Sequence, residues 1–219
     1  MVTGSLFGRC IWLCALAASA GVAAIPCLAQ INASATQPES AKSSFGAPAE
    51  KLKLAGLHNA GKISDVLYRG AQPSQEGYAE LKKIGITTIV NLRGNRGPVE
   101  AERRQVESLG MRFVDIPVLG WSAPSNAQVA QFLKLFKEDP QQKVFVHCYL
   151  GEDRSGVMVA AYRIAQQNWT ADQAVAEMLS FGFHNHLYPG MQSYVRKFPA
   201  RFYSEAVFAP LRPEAGAVH

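Results

Sequence analysis

Apolar residues follow two rhythms along this 219-residue chain. Between about residues 60 and 205, short β-branched runs take turns with longer stretches whose apolar positions recur every three to four residues. That pattern predicts strands alternating with amphipathic helices. KISDVLYRG (62–70) is the first strand of the series. Pro73-Ser74 opens a helix that runs to about Ile84 and stops at Gly85. ITTIVNL (86–92) is β-branched enough for a buried strand. Gly94-Asn95-Arg96-Gly97 turns the chain, Pro98 sits at a helix start, and VEAERRQVESL runs on to Gly110. Met111–Val118 reads as a strand and LGWSAPS (119–125) as a loop. Asn126–Glu138 places Val129, Phe132, Leu133 and Phe136 on one stripe of a helix. A strand at 144–146 leads into a helix reaching about Gln167. Thr170, with Gln173 three residues on, is a capping-box start for a helix to Leu179. A last helix spans about Met191–Glu205.

Strands alternating with helices predict an α/β fold, a central mostly parallel sheet of four to five strands flanked by helices. Ligand loops in such sheets gather at the carboxyl ends of the strands, and Arg69, Arg93 and Cys148 all fall at that edge. The ends of the chain read differently. Cys10–Ala29 is a run of 20 apolar or small residues after a single Arg9. This reads as a signal peptide over 1–29 with cleavage after Ala29, and the rival reading is an uncleaved membrane anchor. Residues 30–58, polar and small, read as a flexible linker. One compact domain over 59–208 and a disordered tail over 209–219 complete the division. The expected location is periplasmic or secreted, or the inner membrane if the anchor is retained. Membrane contact is expected only in that last case.

Charge narrows the partners. The chain carries a net +5, and without Arg9 it holds 21 Lys and Arg against 17 Asp and Glu, or +4. That suits phosphorylated molecules. No basic run or aromatic series marks a nucleic-acid surface, so no nucleic acid is expected as partner. Three of the four cysteines (Cys10, Cys14, Cys27) lie in the leader, leaving Cys148 alone. An oxidising compartment ordinarily pairs its cysteines. A single one is either a functional thiol or a buried bystander.

Its surroundings choose between them. Residues 144–156 read VFVHCYLGEDRSG, a buried strand, a tight loop and the start of a helix. A loop opening into a helix N-terminus presents unpaired N–H groups and the positive end of the helix dipole, so an anion is favoured there. The same N–H groups favour the thiolate of a cysteine at the bottom of the cradle. An arginine closing the loop offers a planar fork for two phosphate oxygens. A lone cysteine after a strand is ordinarily inert and a loop arginine ordinarily solvated. Here His147-Cys148, Gly151 in mid-loop, Arg154 at its end and the hydroxyl of Ser155 coincide, and the coincidence selects catalysis. Cys148 is the expected nucleophile and Arg154 the clamp, with Tyr149, Leu150, Gly151, Glu152, Ser155 and Gly156 around the phosphate.

HCYLGEDRSG resembles the Cys-five-residues-Arg signature of the protein tyrosine phosphatase superfamily. LYRGAQPSQEGYAELKKIGITTIVNLR (67–93) is similar to the start of bacterial and plant-fungal atypical dual-specificity phosphatases. The likeness covers roughly residues 60–190. It implies the cysteine phosphatase fold, a phosphocysteine intermediate at Cys148, no metal or other cofactor, and a phosphorylated protein or small phosphomonoester as substrate. It also implies that Ser155 helps release the thiolate and that His147 tunes the loop.

Typical members carry an aspartate on the loop before the helix that precedes the phosphate loop, and LGWSAPS has none. Asp115, 33 residues before Cys148, sits inside an expected strand. Asp153 beside Arg154 is the better candidate for proton donor, its alternative being a purely structural hold on the loop. Glu152 and Asp153 place negative charge at the pocket floor, which opposes densely anionic ligands. A single phosphate on a tyrosine-like or small organic group is the milder demand. Arg69, Arg93 and Arg96 could offset part of that charge or be ordinary surface arginines. Trp121 and Tyr149 are candidates for the pocket wall. His184 and His186 alone supply no metal ligand set. Other readings are a phosphate-binding pseudophosphatase, a phosphoinositide or inositol phosphate phosphatase, and a rhodanese-like sulfurtransferase.

Overall fold

The computed structural model describes residues 46–94, 99–119 and 121–213. The expected leader, and the expected linker up to residue 45, lie outside the described residues. The first elements are a hairpin that was expected to be linker. Strand β1 (Glu50–Leu54) and strand β2 (Leu57–Lys62) pair antiparallel, so the linker reading fails from Glu50 onward. Glu50, Lys51 and Lys53 are exposed while Leu52 and Leu54 are half-buried, the one-sided alternation of an edge strand protected by lysines. Strand β3 is shorter than expected, Leu67–Gly70. A bend precedes it because the Ser64 hydroxyl accepts the N–H groups of Val66 and Leu67, a side chain competing with the ladder.

Helix α1 (Gln75–Lys83) is capped by Ser74, and Gly85 follows it at φ +87°. Strand β4 (Thr88–Asn91), helix α2 (Val99–Ser108) and strand β5 (Arg112–Asp115) come next. Helix α3 (Asn126–Glu138) starts from a capping box of Ser125 and Gln128 and leads to strand β6 (Val144–His147). Helices α4 (Asp153–Gln167), α5 (Ala171–Ser180) and α6 (Pro189–Ser204) close the fold. The expected Thr170–Gln173 capping box opens α5. A 3₁₀ turn over Ala206–Leu211 buries Phe208 and Leu211. The tail expected to be disordered from 209 is therefore ordered at its start, and residues 214–219 lie outside the described residues.

The six strands stand in the order β1-β2-β3-β6-β4-β5, one more than the four to five expected, because the hairpin adds to the edge. Strands β3, β6, β4 and β5 are mutually parallel, and β1 and β2 run antiparallel beside them. Strand β6 is central and buried at every residue. Its Val144 and Val146 face a core shared with α3 to α6, and its Phe145 faces a second core with α1 and α2. Helix α4 is buried continuously from Ser155 to Ile164, as a helix enclosed on all sides must be. No helix among the described residues is long and apolar enough to cross a membrane.

That enclosure includes a charge. Arg163 is fully buried and donates Nε and Nη2 to the two carboxylate oxygens of Glu177 at 3.0 and 2.7 Å. Glu177 also accepts the N–H of Ala49 at 2.9 Å, which ties the segment before β1 to α5. Replacing Arg163 with Met leaves that carboxylate buried without its partner, and we expect a loss of about 3–5 kcal/mol. Urea unfolding measures it, and a loss below about 1 kcal/mol would show that the pair is dispensable.

Candidate active site

Gly70, His147 and Asn91 stand level across β3, β6 and β4. Three parallel strands thus end at one edge, and Cys148 leaves the middle one. From Cys148 to Glu152 the backbone loops into α4, and every carbonyl of this loop is turned outward to a donor. His147 Nδ1 stands 3.2 Å from the Cys148 carbonyl. Gln72 N donates to Tyr149 O at 3.1 Å and Asn59 Nδ2 to Leu150 O at 3.3 Å. Arg69 Nη2 donates to Gly151 O at 2.5 Å and to Glu152 O at 3.3 Å. Turning the carbonyls out turns the N–H groups in. Among the described residues, no backbone N–H from Tyr149 to Arg154 donates to a protein acceptor, so they form a concave set of donors over Cys148.

Gly151 is the pivot. It sits at φ +75°, and a Cβ there would come within 2.3 Å of the Gly70 carbonyl carbon. Only glycine meets both demands. Arg69 corrects an expectation. Its guanidinium does not line the cleft but lies behind the loop, fully buried, with its centre 4.2 Å from the Phe181 ring centroid. Burial lowers its pKa to about 10, against the opposing pull of Cys148, Glu177, Glu152 and Asp153. It stays a cation at neutral pH.

In front of the loop is a cleft of about 330 Å³, with Cys148 at its floor and Arg93, Tyr149, Leu150, Asp153, Arg154 and Tyr188 along its walls. A larger groove, about 640 Å³, lies between α3 and the C-terminal turn and holds lysines but no nucleophile. Arg154 Nη1 reaches only neutral carbonyls, Leu92 O at 3.4 Å and Arg93 O at 3.2 Å. The Ser155 hydroxyl is buried without a hydrogen-bond partner. Tyr149 lines the cleft as expected, whereas Trp121 stacks on Tyr188 with ring centroids 5.1 Å apart, so Tyr188 is the wall and Trp121 its backing. Arg96 lies outside the described residues.

Glu102 is a residue that sequence reasoning missed. On α2 it follows Val99 by three residues and precedes Val106 by four, so a carboxylate sits on the apolar stripe of its helix. That signal was available. Its Oε2 takes Arg93 Nη2 at 2.5 Å, and its Oε1 takes the Tyr78 hydroxyl at 2.6 Å. His147 Nε2 is 2.8 Å from the same Oε1, off the line of its ring N–H. Burial alone would raise the carboxyl. His147, the Tyr78 hydroxyl and Arg93 outweigh that and hold it at about 2. Arg93 is fixed on its other side by Asn91 Oδ1, which accepts both its backbone N–H and its Nε.

The two acids of the loop lie together. Asp153 Oδ1 accepts the backbone N–H of His184 at 2.9 Å, and His184 Nδ1 stands 3.3 Å from the same oxygen. Glu152 Oε2 is 3.5 Å from that ring nitrogen, and burial raises the Glu152 carboxyl. Glu152, Asp153 and His184 bring one possible metal ligand each within 4.8 Å of one another, although Asp153 already has His184 as its donor. Asp115 is elsewhere. It accepts Asn91 Nδ2 at 2.8 Å at the end of β5 and is absent from the cleft walls.

A cysteine beneath inward-facing amides, closed by an arginine on a parallel sheet, defines the class of cysteine-dependent phosphatases. Residues 54–187 match the family described as DSP-PTPase phosphatase fused to NAD+ Kinase, and the chain belongs to that family. Dual specificity protein phosphatase 26 of Mus musculus is 30% identical over 135 residues, covering 59% of this chain and 64% of that protein. Dual specificity protein phosphatase TpbA of Pseudomonas aeruginosa is 29% identical over 123 residues, 56% of this chain and 54% of the relative. The chain thus spans between half and two thirds of these relatives' length. The crystal structure of P. aeruginosa TpbA in complex with pTyr shares the fold, with a TM-score of 0.59 and 22% identity over 74% of this chain and 98% of that one.

Two outcomes follow from the geometry. Gly151→Ala drives a methyl into the Gly70 backbone, so it should cost about 1–3 kcal/mol of stability and lower kcat/KM by more than about tenfold. A variant with unchanged kinetics would show that the loop does not need this contact. For Glu102, a depressed carboxyl contributes stability that is complete above its ordinary value of 4.5 and is lost as pH falls through about 2. That share is about 3 kcal/mol. The stability gap between the wild type and Glu102→Gln should therefore narrow as pH drops from about 6 to about 2. Parallel unfolding curves across that range would refute the assignment.

Proposed function

We propose that this chain is a phosphoric monoester hydrolase of the dual-specificity phosphatase type, working through a phosphocysteine at Cys148. The observation that carries this reading is the set of unpaired loop amides over a buried thiol, with Arg154 at the rim. Cys148 Sγ attacks phosphorus and the ester P–O bond breaks. The inward amides and the Arg154 guanidinium hold the equatorial oxygens while the charge moves. The leaving oxygen takes a proton, and water then cleaves the P–S bond to free phosphate and the thiolate. Ser155, with its unclaimed hydroxyl, is suited to donate to that thiolate as it departs. His147 supports the loop from behind Cys148.

Asp153 is our candidate for the proton donor, since it is the acid on the cleft wall. The preferred substrate is a single phosphate on an aryl or small organic group. Tyr149 and Tyr188 offer faces for such a ring, and Glu152 and Asp153 oppose a dense anion. The TpbA complex with pTyr supports the same choice. The apolar leader of residues 1–29 and the solitary cysteine after it support action outside the cytoplasm.

Acid quench of the wild type with an aryl phosphate should yield protein carrying one phosphoryl group, and Cys148→Ser should yield none. Asp153→Asn should lose about 10²–10⁴-fold on phenyl phosphate and far less on a nitrophenyl ester, whose oxygen leaves without a proton. Equal losses on the two esters would remove Asp153 from that role.

A further inference from the structure

Arg93 presents a second guanidinium beside Arg154, and a site with two free guanidinium groups would welcome a second phosphate. The surroundings of Arg93 say otherwise. Its Nη2 is 2.5 Å from Glu102 Oε2 and its Nε is 3.1 Å from Asn91 Oδ1. Both side chains of the Arg93–Glu102 pair are nearly out of solvent, at 10% and 5% exposure. A charge pair so short and so dry is strongly cancelled, because little water screens it and each partner is the other's main solvation. Drawing Arg93 toward a ligand would strand the Glu102 carboxylate in a buried place. Arg154 differs, since its partners are two uncharged carbonyls at long distance.

We infer that Glu102 is a specificity-determining residue: by holding Arg93 to the protein it withholds that guanidinium from the cleft, so that a second phosphoryl group on a ligand gains no charge partner from Arg93. This rests on the phosphomonoesterase reading for its substrate, though the binding it describes does not require turnover. Glu102 never touches the ligand. It acts through Arg93, and so it is a positioning residue. Three further groups face this pair. Tyr78 of α1 donates to Glu102, His147 Nε2 of β6 stands 2.8 Å from it, and Asp115 of β5 is hydrogen-bonded to Asn91 while feeling the charges of both Arg93 and Glu102.

A purely structural Glu102 would weaken all anions alike when it is replaced, so the informative quantity is a ratio. Orthophosphate and inorganic diphosphate are compared as protectors of Cys148 against iodoacetamide, a readout that works whether or not the chain turns over an ester. In the wild type the two should protect at concentrations within a few-fold of each other. Glu102→Gln frees Arg93 and should shift the ratio toward diphosphate by about tenfold or more. An unchanged ratio in folded Glu102→Gln overturns the inference. The double change of Arg93→Gln with Glu102→Gln, which strands neither charge, gives an independent decision should Glu102→Gln alone not fold. If Arg93 is already cancelled by Glu102, removing the whole pair moves the ratio by less than about twofold, and a selective loss of diphosphate by about tenfold would overturn the proposal. Failure of the wild type to form phosphocysteine would sink the hydrolase reading instead, and would leave this ratio as it stands.

Discussion

A peptide loop cannot turn its N–H groups toward a ligand without turning its carbonyls the other way. Those carbonyls must be met, because a buried carbonyl without a donor costs as much as a lost hydrogen bond. The site depends on this. Asn59, Arg69, Gln72 and His147 supply the donors for five consecutive carbonyls, and the anion cradle is the other face of the same arrangement. Arg69 bears most of it. Burying a guanidinium is costly, but two carbonyls and an aromatic ring receive it, and it remains charged. The loop amides are therefore oriented before any phosphate arrives, which is the condition under which such dipoles lower a barrier.

Sheet order explains why such donors are available. Strand β6 lies between β3 and β4, so the loop after Cys148 has β3 on one flank and β4 on the other. Arg69 comes from β3 and supports the loop from behind. Arg93 follows β4 and stands in front, where its carbonyl also holds Arg154. The sequence neighbours of the strand ends thus become the walls of one site, as the geometry of a parallel sheet requires. Charge is arranged by depth. Arg69 is spent on carbonyls and Arg93 on a carboxylate, and among the described residues Arg154 alone faces the cleft without an ionic partner.

Much of this was legible from residue pattern. The strand–loop–helix around Cys148, the turn at Gly151 and the helices from 75 to 204 announced themselves through local signals: capping residues, glycines past helix ends, apolar stripes. What escaped was non-local or one-sided. The β1–β2 hairpin shows its alternation on only one face and follows a polar stretch, so it read as linker. With it went Asn59, whose left-handed backbone (φ +50°) places its amide under Leu150. Glu102 sits in a helix otherwise rich in charge, and nothing local says that its partners are Arg93, Tyr78 and His147. Arg69 looked like a cleft charge because its register is right, but register does not state which face of the loop a side chain will meet.

The leaving-group proton is where local and non-local information meet. The loop before α3 offers no acid, and Asp115 is bound to Asn91, away from the cleft. Asp153 combines two properties that seldom coincide. It belongs to the first turn of α4, directly after the loop over Cys148. Its other neighbour is His184, from the loop between α5 and α6, whose ring is half exposed and packs edge-on against Tyr188 of the cleft wall. A carboxyl in that position lines the cleft that holds Cys148 on one side and meets a half-exposed imidazole on the other. Were Asp153 the donor we propose, the proton it gives up would be replaced from water by way of that imidazole, with no opening of the cleft. An acid on a separate mobile loop would have to close over the substrate to do the same work.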